Sequence, residues 1–169
     1  MILVAYASKT GTAAECAERL AAQLPNAVLC DLVLETRDPA PFDTVLVGGG
    51  IRMGALHKAA AGYLKMHESA LLEKRLGIFT CNCFAGGETQ ALKASVPQSL
   101  LHHAQCVQSF GGRMDMSRQH GLDKLICKMV SKNLPSSGYR DILPERLARF
   151  AEFFFAGCIK ERKRTKMKG

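Results

Sequence analysis

An apolar run from Ile2 to Ala7 passes through Ser8-Lys9-Thr10-Gly11-Thr12 into a segment of helical periodicity, and this junction constrains the fold more than any other feature of the chain. Ala13, Cys16, Ala17, Leu20, Ala21 and Leu24 recur at spacings of three and four, so Thr12 to Leu24 reads as an amphipathic helix ended by Pro25-Asn26. A strand that turns into a helix through hydroxyl residues and a glycine gathers backbone N–H groups, side-chain hydroxyls and the positive end of a helix dipole in one small volume. That volume suits a phosphate. The simpler alternative is a helix start at which Ser8 or Thr10 only caps free N–H groups.

Two better-known phosphate loops are excluded by spacing. In Gly48-Gly49-Gly50-Ile51-Arg52-Met53-Gly54 the interval from Gly49 to Gly54 suits a triphosphate-binding loop, but Ala55 and Leu56 stand where Lys and Ser or Thr are required. The dinucleotide pattern fails as well, because Gly48 and Gly50 are followed by Met53 at the third glycine position.

Downstream, apolar runs bounded by turn residues alternate with helix-period segments. Strands are expected at Ala27 to Val33, Asp43 to Gly48, Arg75 to Cys81 and Ala104 to Phe110. Helices are expected from Ala55 to Leu72, from Glu88 to His103 with a break at Pro97, and from Pro144 to Ile159. This alternation predicts an α/β fold: a doubly wound, five-stranded parallel sheet of order 2-1-3-4-5 with helices on both faces. Its site lies beyond the carboxyl ends of the strands, where Ser8 to Ala13, Gly49 to Gly54 and Cys81 to Gly87 would converge. One domain over residues 1–169 accounts for the pattern, with a basic amphipathic insertion at about 113–140 and a basic tail at about 160–169.

The seven cysteines are odd in number and scattered, with no C-x-x-C, which argues against a disulfide framework or a metal centre. The histidines show no metal-ligand spacing and read as surface or capping residues. The net charge of +8 is confined to the last third: residues 1–112 carry 9 basic and 9 acidic side chains, residues 113–169 carry 14 and 6. An acidic partner or surface is expected to meet that end, though the aromatic-and-basic pattern of a nucleic-acid site is missing. No apolar stretch reaches membrane-spanning length, and the opening Met-Ile-Leu-Val-Ala-Tyr reads as a strand, which predicts a cytoplasmic protein.

Ser8, Thr10 and Gly11 match the first-loop pattern of the flavodoxins, and the chain resembles that family. The resemblance implies that FMN binds with its phosphate on Ser8, Lys9, Thr10, Gly11, Thr12 and Ala13, although Ala13 stands where the family has Thr. It places Gly50, Ile51, Arg52, Met53 and Gly54 beside the flavin, with Met53 or Phe84 where an aromatic ring commonly stacks. Cys81, Asn82, Cys83, Phe84, Ala85, Gly86 and Gly87 would line the ring's polar edge. A narrower likeness covers most of the chain. Val47 to Gly54 with His57, Tyr63-Leu64 and His67, then Gly111-Gly112-Arg113-Met114 and Leu122 to Lys132, resemble the bacterial flavodoxin-type, menaquinone-dependent protoporphyrinogen oxidases. The implied functions are electron transfer with a redox partner, or dehydrogenation of a porphyrinogen with a quinone as acceptor; a partner-binding module that has lost its flavin is the third possibility.

No residue is assigned as nucleophile or general base, because the flavin carries the chemistry. Arg52 has two readings, a partner for an anionic group or a solvated loop arginine. Cys81-Asn82-Cys83 reads as a redox pair or as small packing residues. The segment Leu122 to Lys132 either docks on anionic lipid or covers the protein's own core, and with the tail it would permit peripheral contact with the inner face of the cell membrane.

Overall fold

The computed structural model describes residues 1–83, 86–113 and 141–166, with side chains through residue 156 in the last helix. In chain order the elements are β1 (Ile2–Ala7), α1 (Thr12–Ala21), β2 (Ala27–Asp31), β3 (Thr44–Arg52), β4 (Ala55–Leu56), α2 (Lys58–Met66) and α3 (Glu68–Leu72). They continue with β5 (Arg75–Cys81), α4 (Glu88–Ser95), α5 (Gln98–His103), β6 (Cys106–Ser109) and α6 (Pro144–Lys166).

The sheet runs β2-β1-β3-β5-β6 with parallel pairing throughout, and β4 adds a short antiparallel partner to β3. With β4 set aside, this is the doubly wound order expected from the alternation of strands and helices. The central strands carry almost unbroken apolar runs because both faces are covered. On one face Leu3, Ala5, Ala7, Val45, Val47, Leu76 and Ile78 pack under Ala60, Tyr63 and Leu64 of α2, Leu71 of α3, Leu92 of α4 and Leu100 of α5. On the other, Ile2, Val4, Leu46 and Phe79 pack under Ala13, Cys16, Ala17 and Leu20 of α1 and Leu147, Phe150 and Phe154 of α6. Phe79, Phe110, Phe150 and Phe154 form a chain of aromatic contacts in that second layer.

Register brings three loops to one edge. Ala7 pairs with Gly49 and Gly50 with Cys81, so the chain leaves β1, β3 and β5 at nearly the same height.

Two expectations change here. The glycine run continues β3 to Arg52, and the chain then reverses through Met53-Gly54 into β4, with Ile51 opposite Leu56 and Arg52 opposite Ala55. Ala55 and Leu56 are therefore strand, not helix. The Leu56 amide donates to Ser95 Oγ at 3.0 Å, which fixes the strand against α4. His57 caps α2 by accepting the Ala59 amide on its ring nitrogen, and a second break at His67 separates α3.

Met53 and Gly54 both have positive φ, 50° and 73°, as a two-residue type I′ hairpin requires. Methionine is strained there by about 1 kcal/mol. Met53→Asn, which supplies the preferred Asn-Gly turn, is expected to raise stability by about 0.5–1 kcal/mol in chemical denaturation, with the slope of the transition unchanged.

Candidate functional site

The site is built around the start of α1. Gly11 is the N-cap residue, at φ 92° and ψ −20°, and no side chain caps the helix from that position. The first intrahelical bond runs from the Glu15 amide to the Gly11 carbonyl at 2.9 Å. The amides of residues 12–14 precede that bond and, as in any first turn, have no partner within the helix. The Ser8 side chain accepts the Gly11 amide at 3.0 Å, which closes the loop into a tight concave turn and leaves the Ser8 hydroxyl proton able to donate elsewhere. These groups are what an incoming phosphate needs.

A second loop ties this turn down. The Thr12 hydroxyl donates to the Arg113 carbonyl at 3.4 Å, and the Arg113 guanidinium bridges Glu15 of α1 at 3.5 Å and Asp141 at 3.2 Å. Asp141 accepts its own neighbour's amide, from Ile142, and this bond, with Arg113 beside it, holds its carboxyl below the usual range. No spacing in the sequence points to this clasp. Its members are scattered over the chain, and only their ion pairs in the fold relate them.

The loop after β5 sits on the same edge. The Asn82 amide donates to the Gly111 carbonyl at 2.8 Å, and a Cβ on Gly112 would lie 2.9 Å from the Cys83 amide nitrogen. Gly112 therefore lets residues 82–83 pack directly against the segment that follows β6. Gly86 and Gly87 have φ of 89° and 77°, so this loop turns back through conformations that L residues rarely adopt and enters α4 at Glu88.

The third loop is the β3–β4 hairpin. The His57 amide returns to the Gly50 carbonyl at 2.9 Å, and a Cβ on Gly49 would sit 3.0 Å from the Ala7 carbonyl and 3.3 Å from His57 Cβ. His57 is thus held beside the end of β1. Burial first, then the positive charges of Lys58, Arg52 and Lys9 against the opposing Asp31, keep its imidazole below its ordinary pKa.

Ser8, Lys9, Thr10, Gly11, Thr12, Ala13, Gly50, Arg52, Cys81, Asn82, Cys83, Gly86 and Gly87 accordingly lie at the carboxyl edge of the sheet or on loops leaving it. Ile51 and Gly54 belong to the hairpin. Met53, expected to lie against a flavin, stands at the hairpin tip with 90% of its surface exposed. Phe84 and Ala85, Met114, Met116, His120, the segment Leu122 to Lys132 and the tail beyond residue 166 lie outside the described residues. Cys16, on the buried face of α1, shares the apolar cluster beneath that helix with Cys81.

Among the described residues there is no group of His, Cys, Asp and Glu side chains that could hold a metal ion. No helix among them is long and apolar enough to cross a membrane.

A family model described as a flavodoxin domain matches residues 3–139, most of the chain. The chain belongs to the flavodoxin domain family. Oxidised flavodoxin 1 from Bacillus cereus is similar in fold to this flavodoxin domain, with a TM-score of 0.53 at 15% identity over 79% of this chain and 99% of that one. Fusobacterium nucleatum flavodoxin bound to flavin mononucleotide gives a TM-score of 0.48 at 16% identity over 79% of this chain and 98% of that one. A mutant of a flavodoxin from the same organism, also bound to flavin mononucleotide, gives 0.48 at 17% identity, over 63% of this chain and 66% of that one. No curated protein matches the sequence.

Proposed function

We propose that this flavodoxin domain binds FMN at the carboxyl edge of its sheet and transfers electrons between a donor and an acceptor. The observation that carries this reading is the α1 N-terminus, which starts at a glycine with positive φ and takes no capping side chain there. A turn that served only to begin a helix would be satisfied by a serine, threonine or aspartate at that position. Family membership supplies the redox context, and the Bacillus cereus protein of the same fold is described in its oxidised form.

In this reading the amides of Thr12 to Ala14 and the hydroxyls of Ser8 and Thr10 hold the phosphate, with Lys9 adding positive charge and Gly11 shaping the turn. The β3–β4 hairpin, Gly50 to Gly54, bounds the ring on one side, and the backbone of Cys81 to Gly87 meets its polar edge. FMN supplies the redox chemistry, since its ring system takes up and releases electrons. The protein's part is to fix the ring's position and to set the surrounding charge. Ser8→Ala removes both the hydroxyl that accepts from Gly11 and a donor to the phosphate. Titration of FMN-free protein, followed by flavin fluorescence, is expected to show about tenfold weaker binding for this variant; unchanged affinity would place the phosphate elsewhere.

A second reading, dehydrogenation of a porphyrinogen with a quinone as acceptor, rests on three cationic side chains, Lys9, Arg52 and Lys58, near His57 on the first and third loops, which suit the carboxylates of an anionic substrate. Flavin bleaching on anaerobic addition of protoporphyrinogen, followed by recovery with a quinone, supports it. Bleaching by a reduced protein partner but not by the porphyrinogen supports the electron carrier. On either reading the basic last third is the surface that meets an acidic partner or the inner face of a membrane, and the protein works from the cytoplasm as one domain.

A further inference from the structure

Arg113 joins three parts of the chain at the head of α1. Its carbonyl accepts the Thr12 hydroxyl at 3.4 Å, so the proton of that hydroxyl is committed before any ligand arrives. Just before it, the Gly112 amide donates to the Asp141 carbonyl at 3.3 Å and the Gly111 carbonyl accepts the Asn82 amide at 2.8 Å. Residues 111–113 are thus a strut between the phosphate turn and the loop after β5.

The Arg113 side chain completes a balanced group of charges. Its guanidinium lies 3.5 Å from Glu15 Oε2 and 3.2 Å from Asp141 Oδ1, while Arg19 takes the other Glu15 oxygen at 2.6 Å. Two arginines therefore face two carboxylates. Arg113 and Asp141 are 50% and 65% exposed, so neither ion pair adds much to the stability of the fold. The balance matters for what binds beside it. Glu15 belongs to the first turn of α1, and its amide closes that turn on the Gly11 carbonyl at 2.9 Å. This is the turn whose open amides suit a phosphate. A phosphate monoester carries close to two negative charges at neutral pH, and an uncompensated carboxylate on the same turn repels it. With Arg113 in place the four side chains sum to zero, and without it one carboxylate is left over.

We propose that Arg113 is a positioning residue for the flavin phosphate, one that cancels the first-turn carboxylate, holds Thr12, and so strengthens the selection of FMN over riboflavin. The inference rests on the FMN reading above and gives that site a specificity determinant outside the phosphate turn. Arg113 acts through Glu15, Asp141 and Thr12, which occupy its guanidinium and its carbonyl, and not by contact with the ligand. An arginine suits the place because its planar fork serves two carboxylates at once.

The test is equilibrium titration of the full chain, freed of flavin, with FMN and with riboflavin at low and high KCl. Arg113→Met is expected to bind FMN about tenfold more weakly at low salt with riboflavin affinity unchanged, and the deficit should shrink as KCl screens the left-over carboxylate. Unchanged riboflavin binding also shows that the variant is folded. Adding Glu15→Gln to Arg113→Met should recover most of the loss, and Arg113→Lys, which keeps the charge, should stay within about threefold of wild type. Equal loss with both flavins would make Arg113 a prop for the whole pocket, and unchanged FMN affinity would give it no part in binding; either result overturns the proposal. A loss specific to FMN that Glu15→Gln does not repair overturns it as well, because Arg113 would then hold the phosphate directly. Wild-type protein that takes up neither flavin contradicts the cofactor assignment itself and removes this proposal with it, an outcome distinct from wild-type binding with an indifferent variant.

Discussion

Gly11→Asp is expected to weaken FMN binding by at least 100-fold while changing the stability of the FMN-free protein by no more than about 1 kcal/mol. Gly11 stands at φ 92° at the head of α1, where a side chain meets some strain, but aspartate is among the L residues best tolerated at positive φ. Its negative charge at a helix N-terminus offsets part of that strain. The same charge faces the position the phosphate must take, and like charges brought together there cost several kcal/mol. Gly11→Asn has nearly the same shape without the charge and should lose no more than about tenfold, so the difference between the two variants isolates electrostatics from backbone strain. Flavin titration measures the binding, and urea denaturation of FMN-free protein measures the fold. Equal loss in both variants would mean that the turn's conformation, and not its charge, is what the ligand requires.

The largest effect on stability is expected from Gly48→Ala. Gly48 pairs with Phe79 across β3 and β5, and a Cβ there would lie 2.4 Å from both the Phe79 carbonyl oxygen and its ring. The ring cannot swing clear, because Phe110 and Phe150 pack against it at centroid distances of 5.2 and 6.4 Å. The carbonyl is part of the sheet itself. Separating the two central strands is expected to cost about 3 kcal/mol, at the upper end for overpacking, and to lower Tm by about 6–12 °C. Gly50→Ala, two residues along, is the control: its Cβ meets nothing closer than the Cys81 carbonyl at 4.0 Å, and the substitution should be close to neutral.

These two glycines also show where the sequence was legible and where it was not. The β5 strand was read at both ends, because Arg75 to Cys81 is a compact apolar run bounded by turn residues. The break at Pro97 separates α4 from α5 for the reason proline gives, a missing amide and a fixed φ. The glycine run was read as a loop after Gly48, whereas it continues β3 to Arg52. Glycine has no side chain to display the two-residue alternation of a strand, so only the pairing with β1 and β5 reveals it. The helix expected from Ala55 fails for a related reason: small apolar residues fit either period, and the hairpin at Met53-Gly54 decides in favour of β4.

Of the site, the first loop was legible because its chemistry is local: hydroxyls, a glycine and a helix start within a few residues. The Arg113 clasp was not, because it joins residues far apart in the chain that have no characteristic spacing. The turn at Met53 was not legible either: its place in the sequence suggested a loop wall for the cofactor, and the pairing of β3 with β4 adds that it stands at the exposed tip of a type I′ hairpin.

The central claim is that the turn from Ser8 to Ala13 is an FMN phosphate site, and equilibrium titration of the FMN-free protein with FMN and with riboflavin tests it most directly. The account predicts one FMN per chain, quenching of flavin fluorescence on binding, and riboflavin bound at least about 100-fold more weakly because it lacks the phosphate. Equal affinity for both flavins, or no uptake of FMN by folded protein, would contradict it.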